Sequence, residues 1–273
     1  MSPQTILDEI VARTREDVAM RRSRLPEESL SLRAAGMVRP RNFRDALAGE
    51  GGSEVRILAE LKQASPSKGT IRKDFHVIDL ARELQDAGAA ALSVLTEPHY
   101  FNGSLRNLRL VSDNSHVPVL RKDFIVSTYQ VFEARVFGAD AILLIAAALS
   151  PHEFVRLKQA ADETGLHVLA EVHNEDELET VLTAGVRIVG VNSRDLKTFK
   201  TDLKRTEELL GRIPSGIVKV AESGIQKADD VTRLRSAGAD ACLIGEGLMR
   251  VKSPARKLRE FLIHAEALEG AAV

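Results

Sequence analysis

The chain has one cysteine in 273 residues, which excludes an internal disulfide and a cysteine-built metal cluster and fits a reducing compartment. That residue, Cys242, sits in the apolar run Ala241-Cys242-Leu243-Ile244 and reads as a buried structural thiol. Charge of either sign is not in excess: 38 Lys plus Arg against 39 Asp plus Glu leave a net charge of −1. No global field therefore draws the molecule to nucleic acid or to an anionic membrane, and any bound anion must be met by local groups. Long hydrophobic runs are missing too. The longest, Ala141 to Leu149, falls far short of the roughly 20 residues that span a bilayer. The first ten residues carry Asp8 and Glu9 where a secretion signal would carry bases and a continuous apolar stretch. These absences predict a soluble, cytoplasmic protein. Histidines are scattered without an i, i+4 pair on a helix, and His173, close to Glu171, lacks companions at metal-ligand spacing. No metal and no cofactor is expected.

What is present is 44% hydrophobic and 28% charged residues, the make-up of a globular chain with one sizeable core. A phrase recurs along it: a helix end, a glycine, a short turn and an apolar strand, at Gly88, Gly138, Gly185 and Gly238. The interval is too long for one strand-helix unit and right for two. Between the repeats lie further β-rich runs, Val55 to Leu61, Val117 to Leu120, His167 to Val172 and Ile217 to Ala221. Amphipathic stretches such as Val77 to Ala87, Thr128 to Phe137, Pro151 to Thr164, Asp176 to Ala184, Thr206 to Gly211 and Ala228 to Ala237 join them. Eight strands alternating with helices imply an α/β fold with a parallel sheet. An open doubly wound sheet would place a glycine-rich nucleotide turn after the first strand, but Lys62-Gln63-Ala64-Ser65-Pro66 stands there. Closure into a (β/α)₈ TIM barrel with an N-terminal helical extension is the expected architecture. The extension covers residues 1–50 and the barrel 51–273. In the extension Ile6, Ile10, Val11, Thr14 and Val18 follow helical spacing, and Arg39-Pro40-Arg41-Asn42-Phe43 reads as a connector. The pattern alone leaves open whether that helix caps the barrel floor or roofs its mouth. The basic cluster from Arg13 to Arg24, broken by Glu16 and Asp17, reads as a solvated helix face.

Catalytic groups of a barrel project from the carboxyl ends of its strands. The polar residues ending otherwise apolar runs are Glu60 and Lys62, Lys122, Glu171, Asn192 with Arg194, and Glu222. Alternation sends residues two apart to one face, so Glu60 and Lys62 point inward together while Ile57, Ala59 and Leu61 face the helices. A lone Lys–Glu pair is most simply a structural ion pair; five polar strand ends at one mouth are costly to bury without a ligand and point to a site. Lys219 has the opposite parity from Glu222 and reads as outward and structural. After the last two strands, Ser223-Gly224 and Gly245-Glu246-Gly247 offer bare amides, with a short helix near Gly247 to Arg250. That is the usual phosphate cradle of such barrels. The carboxylate of Glu246 would repel phosphate, so its amide is expected to bind while its side chain points away.

The run Glu60-Leu61-Lys62-Gln63-Ala64-Ser65-Pro66 resembles the signature of the indole-3-glycerol phosphate synthase family. Further similar segments follow in order: Leu95-Thr96-Glu97 with Tyr100-Phe101-Asn102-Gly103-Ser104, Leu120-Arg121-Lys122-Asp123-Phe124, Ala170-Glu171-Val172, Gly190-Val191-Asn192-Ser193-Arg194-Asp195-Leu196, and Ala221-Glu222-Ser223-Gly224-Ile225. The resemblance implies ring closure, decarboxylation and dehydration of 1-(2-carboxyphenylamino)-1-deoxyribulose 5-phosphate, without cofactor or metal, and an extension placed over the mouth. It implies Lys122 as general acid of ring closure, with Lys62, Glu60 and Glu171 dividing the other proton transfers. Glu60 is left as proton carrier or partner of Lys62, and Glu171 as base or electrostatic stabiliser. It further implies Asn192, Arg194 and Glu222 as substrate ligands. Ser65, Ser223, Gly224, Gly245 and Glu246 would lie at the phosphate, and Phe101, Phe124, Leu143 and Leu196 around the aromatic ring. Members of the family often carry a small hydroxyl residue where this chain has Glu246. A small phosphorylated substrate is then the expected partner of a monomer or weak homo-oligomer. Two rival functions fit the strand-end lysines and the phosphate loops: a Schiff-base aldolase and a non-catalytic phosphate-ligand sensor.

Overall fold

The computed structural model describes residues 5–48, 55–195 and 200–267. Eight parallel strands close on themselves: β1 (Arg56–Leu61), β2 (Ala91–Leu95), β3 (Val119–Lys122), β4 (Ala141–Ile145), β5 (His167–Val172), β6 (Ile188–Asn192), β7 (Val218–Glu222) and β8 (Ala241–Ile244). Each pairs with its sequence neighbours, and β8 returns to β1 with Ala59 opposite Ile244. Glycine decides the entry to every even strand. Gly88, Gly138, Gly185 and Gly238 all have positive φ, from 74° to 104°, a conformation that side chains resist. The repeated phrase is thus a repeated backbone turn.

Helices α1 (Ile6–Arg24), α2 (Glu27–Ala35) and α3 (Phe43–Ala48) precede the barrel. Around it lie α4 (Val77–Asp86), α5 (Leu105–Asp113), α6 (Thr128–Val136), α7 (Pro151–Thr164), α8 (Glu175–Thr183), α9 (Leu203–Arg212), α10 (Ala228–Ser236), the short α11 (Glu246–Met249) and α12 (Pro254–Ala267). The strands divide the core by parity. Ile57, Ala59 and Leu61 pack outward against the helices, whereas Leu58 faces the barrel interior with Ala91, Leu120, Leu143 and Leu169. Cys242 belongs to the outer layer, fully buried, and burial pushes its thiol up to about 12. Burial and the raised affinity for a proton both favour the neutral thiol, as expected of a structural cysteine.

The segment read as a connector is more than that. Asn42 accepts the amide of Asp45 at 3.1 Å and so caps α3, whose Phe43 and Leu47 plug the barrel floor among Leu58, Ala91, Ala141 and Val218. Arg41 pins the approach, its guanidinium donating to Asp140 at 2.8 Å and to the Ser115 carbonyl at 2.5 Å. The extension therefore serves both ends: α3 fills the floor, while α1 lies across the mouth. The buried stripe of α1 is Leu7, Ile10, Thr14 and Val18.

The basic cluster of α1 is not simply a solvated face. Arg21 donates to Glu133 of α6 at 2.9 Å, Arg15 to Glu153 of α7 at 3.1 Å, and the Arg22 guanidinium lies 5.7 Å from the ring centre of Tyr129. Its partners sit on distant elements, so charge spacing along one helix could not reveal them. Among the described residues, no helix is long and apolar enough to cross a membrane.

Candidate active site

The carboxyl ends of the strands, the loops after them and α1 enclose a cavity of about 280 Å³. Its lining takes in Glu60, Lys62, Ser65, Phe101, Lys122, Phe124, Leu143, Glu171, Asn192, Arg194, Glu222, Ser223, Gly224, Gly245 and Glu246. Every residue named from the sequence as a catalytic or ligand candidate thus lines it except Leu196, which lies outside the described residues. Lys219 is elsewhere, donating to the Leu210 carbonyl of α9 at 3.2 Å on the outside of the barrel.

Alternation places the charges. On β1, Glu60 is buried and takes an ion pair from Lys62, which follows the strand by one residue. Lys122, at the end of β3, reaches across the mouth to Glu171 of β5 at 3.0 Å and to Glu222 of β7 at 3.5 Å. The other oxygen of Glu171 accepts from Asn192 at 3.0 Å. Two glycines make room for these carboxylates. A Cβ at Gly190 would overlap Oε1 of Glu222, and one at Gly245 would overlap Oε2 of Glu60. Gly245 thus leaves the space that the Glu60 carboxylate occupies.

Packing so many charges into a water-poor mouth shifts their protonation. Burial alone would push Lys122 down, but the carboxylates of Glu171, Glu222 and Glu60 outweigh it and hold the ammonium firmly charged. Burial would raise Glu171; Lys122, His173 and the Asn192 amide overcome it and keep that carboxyl well below its usual range. Glu222 ends on the other side: burial and the charges of Glu171 and Glu60 raise it despite Lys122. The two carboxyl groups that flank the same ammonium are therefore pushed in opposite directions, Glu171 down and Glu222 up.

At one end of the cavity the chain turns tightly. Ser223 and Gly224 both have positive φ, 66° and 73°, an uncommon state for serine that strains the backbone at a candidate ligand contact. Ser65 adds a buried hydroxyl that has no hydrogen-bond partner among the described residues. Arg194 stands at the rim, its amide bonded to Asn192 Oδ1 at 3.0 Å and its guanidinium 3.8 Å from Glu246. The Glu246 side chain is taken up by Arg250 at 2.8 Å as well as by Arg194. It is therefore turned toward rim cations, while its residue opens α11 directly after Gly245.

At the other end the surface is apolar. The rings of Phe101 and Phe124 lie 6.1 Å apart, near Leu95, Leu143, Ile145 and Leu243. From above, Ile6, Leu7 and Ile10 of α1 close over the cavity. Tyr100 ties this roof down by donating to Glu9 at 2.7 Å, and its own loop is held by Glu97, which accepts the amides of His99, Tyr100 and Phe101. Sequence reading found the amphipathic helix but not which of its residues meet the site. It also passed over His173, whose ring lies between Glu171 and Glu177.

The family model described as indole-3-glycerol phosphate synthase matches residues 7–261. The chain belongs to the indole-3-glycerol phosphate synthase family. Among curated members of that name, the protein of Koribacter versatilis is 48% identical over 259 residues, covering 95% of this chain and 98% of its own. That of Acetivibrio thermocellus is 44% identical over 258 residues, covering 94% and 98%. Solved structures share the fold at far lower identity. The 3-hexulose-6-phosphate synthase of Salmonella typhimurium superposes with a TM-score of 0.64 at 13% identity, over 78% of this chain and 99% of its own. A thiamine phosphate pyrophosphorylase from Pyrococcus furiosus gives 0.61 at 16% identity, over 83% and 99%.

Proposed function

We propose that the chain is a carboxy-lyase that converts 1-(2-carboxyphenylamino)-1-deoxyribulose 5-phosphate to indole-3-glycerol phosphate, CO₂ and water, in tryptophan biosynthesis. The observation that carries this reading is the meeting of Lys62, Lys122, Glu60, Glu171 and Glu222 in one cavity with the Ser223-Gly224 turn. Phosphate sits against the amides of Ser223, Gly224, Gly245 and Glu246 and the hydroxyl of Ser65. The aromatic ring packs on Phe101, Phe124 and Leu143, under the apolar roof of α1. Anchored at both ends, the flexible chain between them is folded so that the ring carbon faces the ketone, which is catalysis by positioning.

Ring closure forms a carbon–carbon bond and turns the ketone oxygen into an alkoxide. Lys122 gives it a proton; the acceptor is basic enough to take one from an ammonium held charged by its neighbours. The ring carboxylate then leaves as CO₂, its bonding electrons returning to the ring system. The new hydroxyl departs as water on receiving a proton from Lys62, paired with Glu60, and Glu171 takes the proton lost as the indole becomes aromatic. Asn192 and Arg194 orient the sugar and the carboxylate, and Glu222, held as the acid, donates to a substrate hydroxyl.

The same ion pairs disfavour a Schiff-base aldolase, which needs a neutral amine: Lys122 is held charged and Lys62 is bound to Glu60. The reading takes residues 1–50 as an extension of a single barrel unit, 51–273, acting in the cytoplasm as a monomer or weak homo-oligomer. The test is incubation of the purified chain with the substrate, following indole fluorescence, with borohydride added in parallel. Fluorescence should appear and no covalent adduct form. An adduct would favour the aldolase, and tight binding without turnover the sensor.

A further inference from the structure

His173 follows β5 by one residue and shares the inward parity of Glu171, two positions before it. Its Nε2 lies 3.5 Å from Oε1 of Glu171, and its Nδ1 lies 3.2 Å from Oε2 of Glu177 on α8. Glu177 is itself fixed: the same Oε2 accepts the His173 amide at 2.7 Å, and Oε1 accepts from Asn174 at 2.6 Å. A carboxylate holding these donors has only acceptor capacity left for the ring, so Nδ1 must carry a proton. A neutral ring would then leave the lone pair of Nε2 only 3.5 Å from a carboxylate oxygen inside a buried site, a repulsion with no solvent to relieve it. Nε2 is buried and makes no hydrogen bond among the described residues.

We propose that His173 is a positioning residue of the reaction: as an imidazolium bridging Glu177 and Glu171, it holds Glu171 ionised and aligned to accept the proton released from the ring. The charged groups facing it are Glu171 at the end of β5, Glu177 on α8 and Glu222 on β7, while Lys122 on β3 occupies the far oxygen of Glu171. Burial works against the charged ring, yet the hydrogen bond to Glu177 and the charges of Glu171 and Glu177 more than offset it and raise its affinity for a proton. The consequence for Glu171 is a cation on each side, Lys122 at one oxygen and His173 at the other. When Lys122 turns to the ketone, His173 remains, so the carboxylate is not left as an uncompensated buried charge.

This rests on the ring-closure reading for its effect on rate, but the state of the ring is measurable without turnover. In protein labelled with ¹⁵N at histidine, the two ring nitrogens of His173 should both report as protonated at a pH above the ordinary histidine value. In Glu177→Gln the same signals should shift to the neutral ring at that pH. For turnover, His173→Gln, which can still donate to Glu171 but carries no charge, should lower kcat about tenfold with KM within about twofold, the scale of one charge-assisted hydrogen bond. The parent's decline in rate at alkaline pH, as the ring loses its proton, should vanish in this variant. A neutral His173 in the parent spectrum overturns the proposal whatever the enzyme does, as does an unchanged kcat in His173→Gln. Should that variant fail to fold, Glu177→Gln decides alone: a ring still fully charged there overturns the bridge. Absence of ring closure in the parent, with the ring charged as described, would instead refute the proposed reaction and leave the bridge standing.

Discussion

Replacing Gly190 by alanine tests the packing beneath the charges. Gly190 sits mid-strand in β6, with its inward side against Glu222, and its φ is not among the positive values, so alanine is conformationally acceptable. The obstacle is space. The new Cβ would overlap Oε1 of Glu222, stand 3.0 Å from its Cδ and lie 3.2 Å from Leu169 Cδ1. The carboxyl group cannot swing into water, because Glu222 is 1% exposed and Lys122 stands 3.5 Å away from its other oxygen. Overpacking of a closed interior costs about 1–3 kcal/mol. For a chain of this size about 2 kcal/mol lowers Tm by roughly 4–8 °C. In a Glu222→Ala background the overlapping atoms are gone and only the mild Leu169 contact remains. The same substitution should then cost less than about 0.5 kcal/mol, a coupling of about 1–2 kcal/mol between contacting sites. Thermal melts and urea midpoints of the four proteins measure it. Equal losses in both backgrounds, or none in the parent, would show that Gly190 does not make room for Glu222.

Three other outcomes follow from the same geometry. Lys122→Ala should cut turnover by about 10²- to 10⁴-fold, the scale of a general acid, with folding intact by circular dichroism; Lys219→Ala, on the outer face, should change the rate little, and near-normal turnover in Lys122→Ala would remove that lysine from its role. Ser65→Ala should raise KM about tenfold and leave kcat close to the parent's, because a hydrogen bond to a charged phosphate is lost from ground and transition states alike; an unchanged KM would take Ser65 out of the phosphate seat. Glu222 has a folded-state pKa raised to about 8, so the stability it contributes as a protonated acid is full below the ordinary carboxylate value and is lost as pH climbs toward that figure. Glu222→Gln keeps a neutral group there, and its Tm relative to the parent should rise from about pH 5 and level off above about pH 8; a flat difference would mean Glu222 is ionised throughout.

Strand parity made most of the site readable in advance. Once the glycine phrase set the frame of the barrel, Glu60, Lys62, Glu171, Asn192 and Glu222 had to face inward at the carboxyl end, because neighbours two apart share a face. The same rule applied to Glu171 would have found His173, which was weighed only as a metal ligand and dropped for want of companions. Phe43 was hidden for a different reason: Pro40 marked the end of a helix plainly, whereas the cap that starts the next one, Asn42 accepting from Asp45, is a single side chain in a short polar stretch. The choice between floor and roof could not be made from α1 alone, since an apolar stripe states that a helix packs and not what it packs against. Both ends turned out to be filled, by different helices. The docking of Arg21 on Glu133 was likewise illegible, its partner lying 112 residues away.

The most direct test of the account is a crystal structure of the protein with a reduced, unreactive analogue of the proposed substrate. The phosphate should lie within hydrogen-bond distance of the amides of Gly224 and Glu246, the aromatic ring against Phe101 and Phe124, and Lys122 Nζ within reach of the oxygen that replaces the ketone. An analogue bound outside this cavity, or seated in it with Lys122 still closed on Glu171 and Glu222 and far from that oxygen, would contradict it.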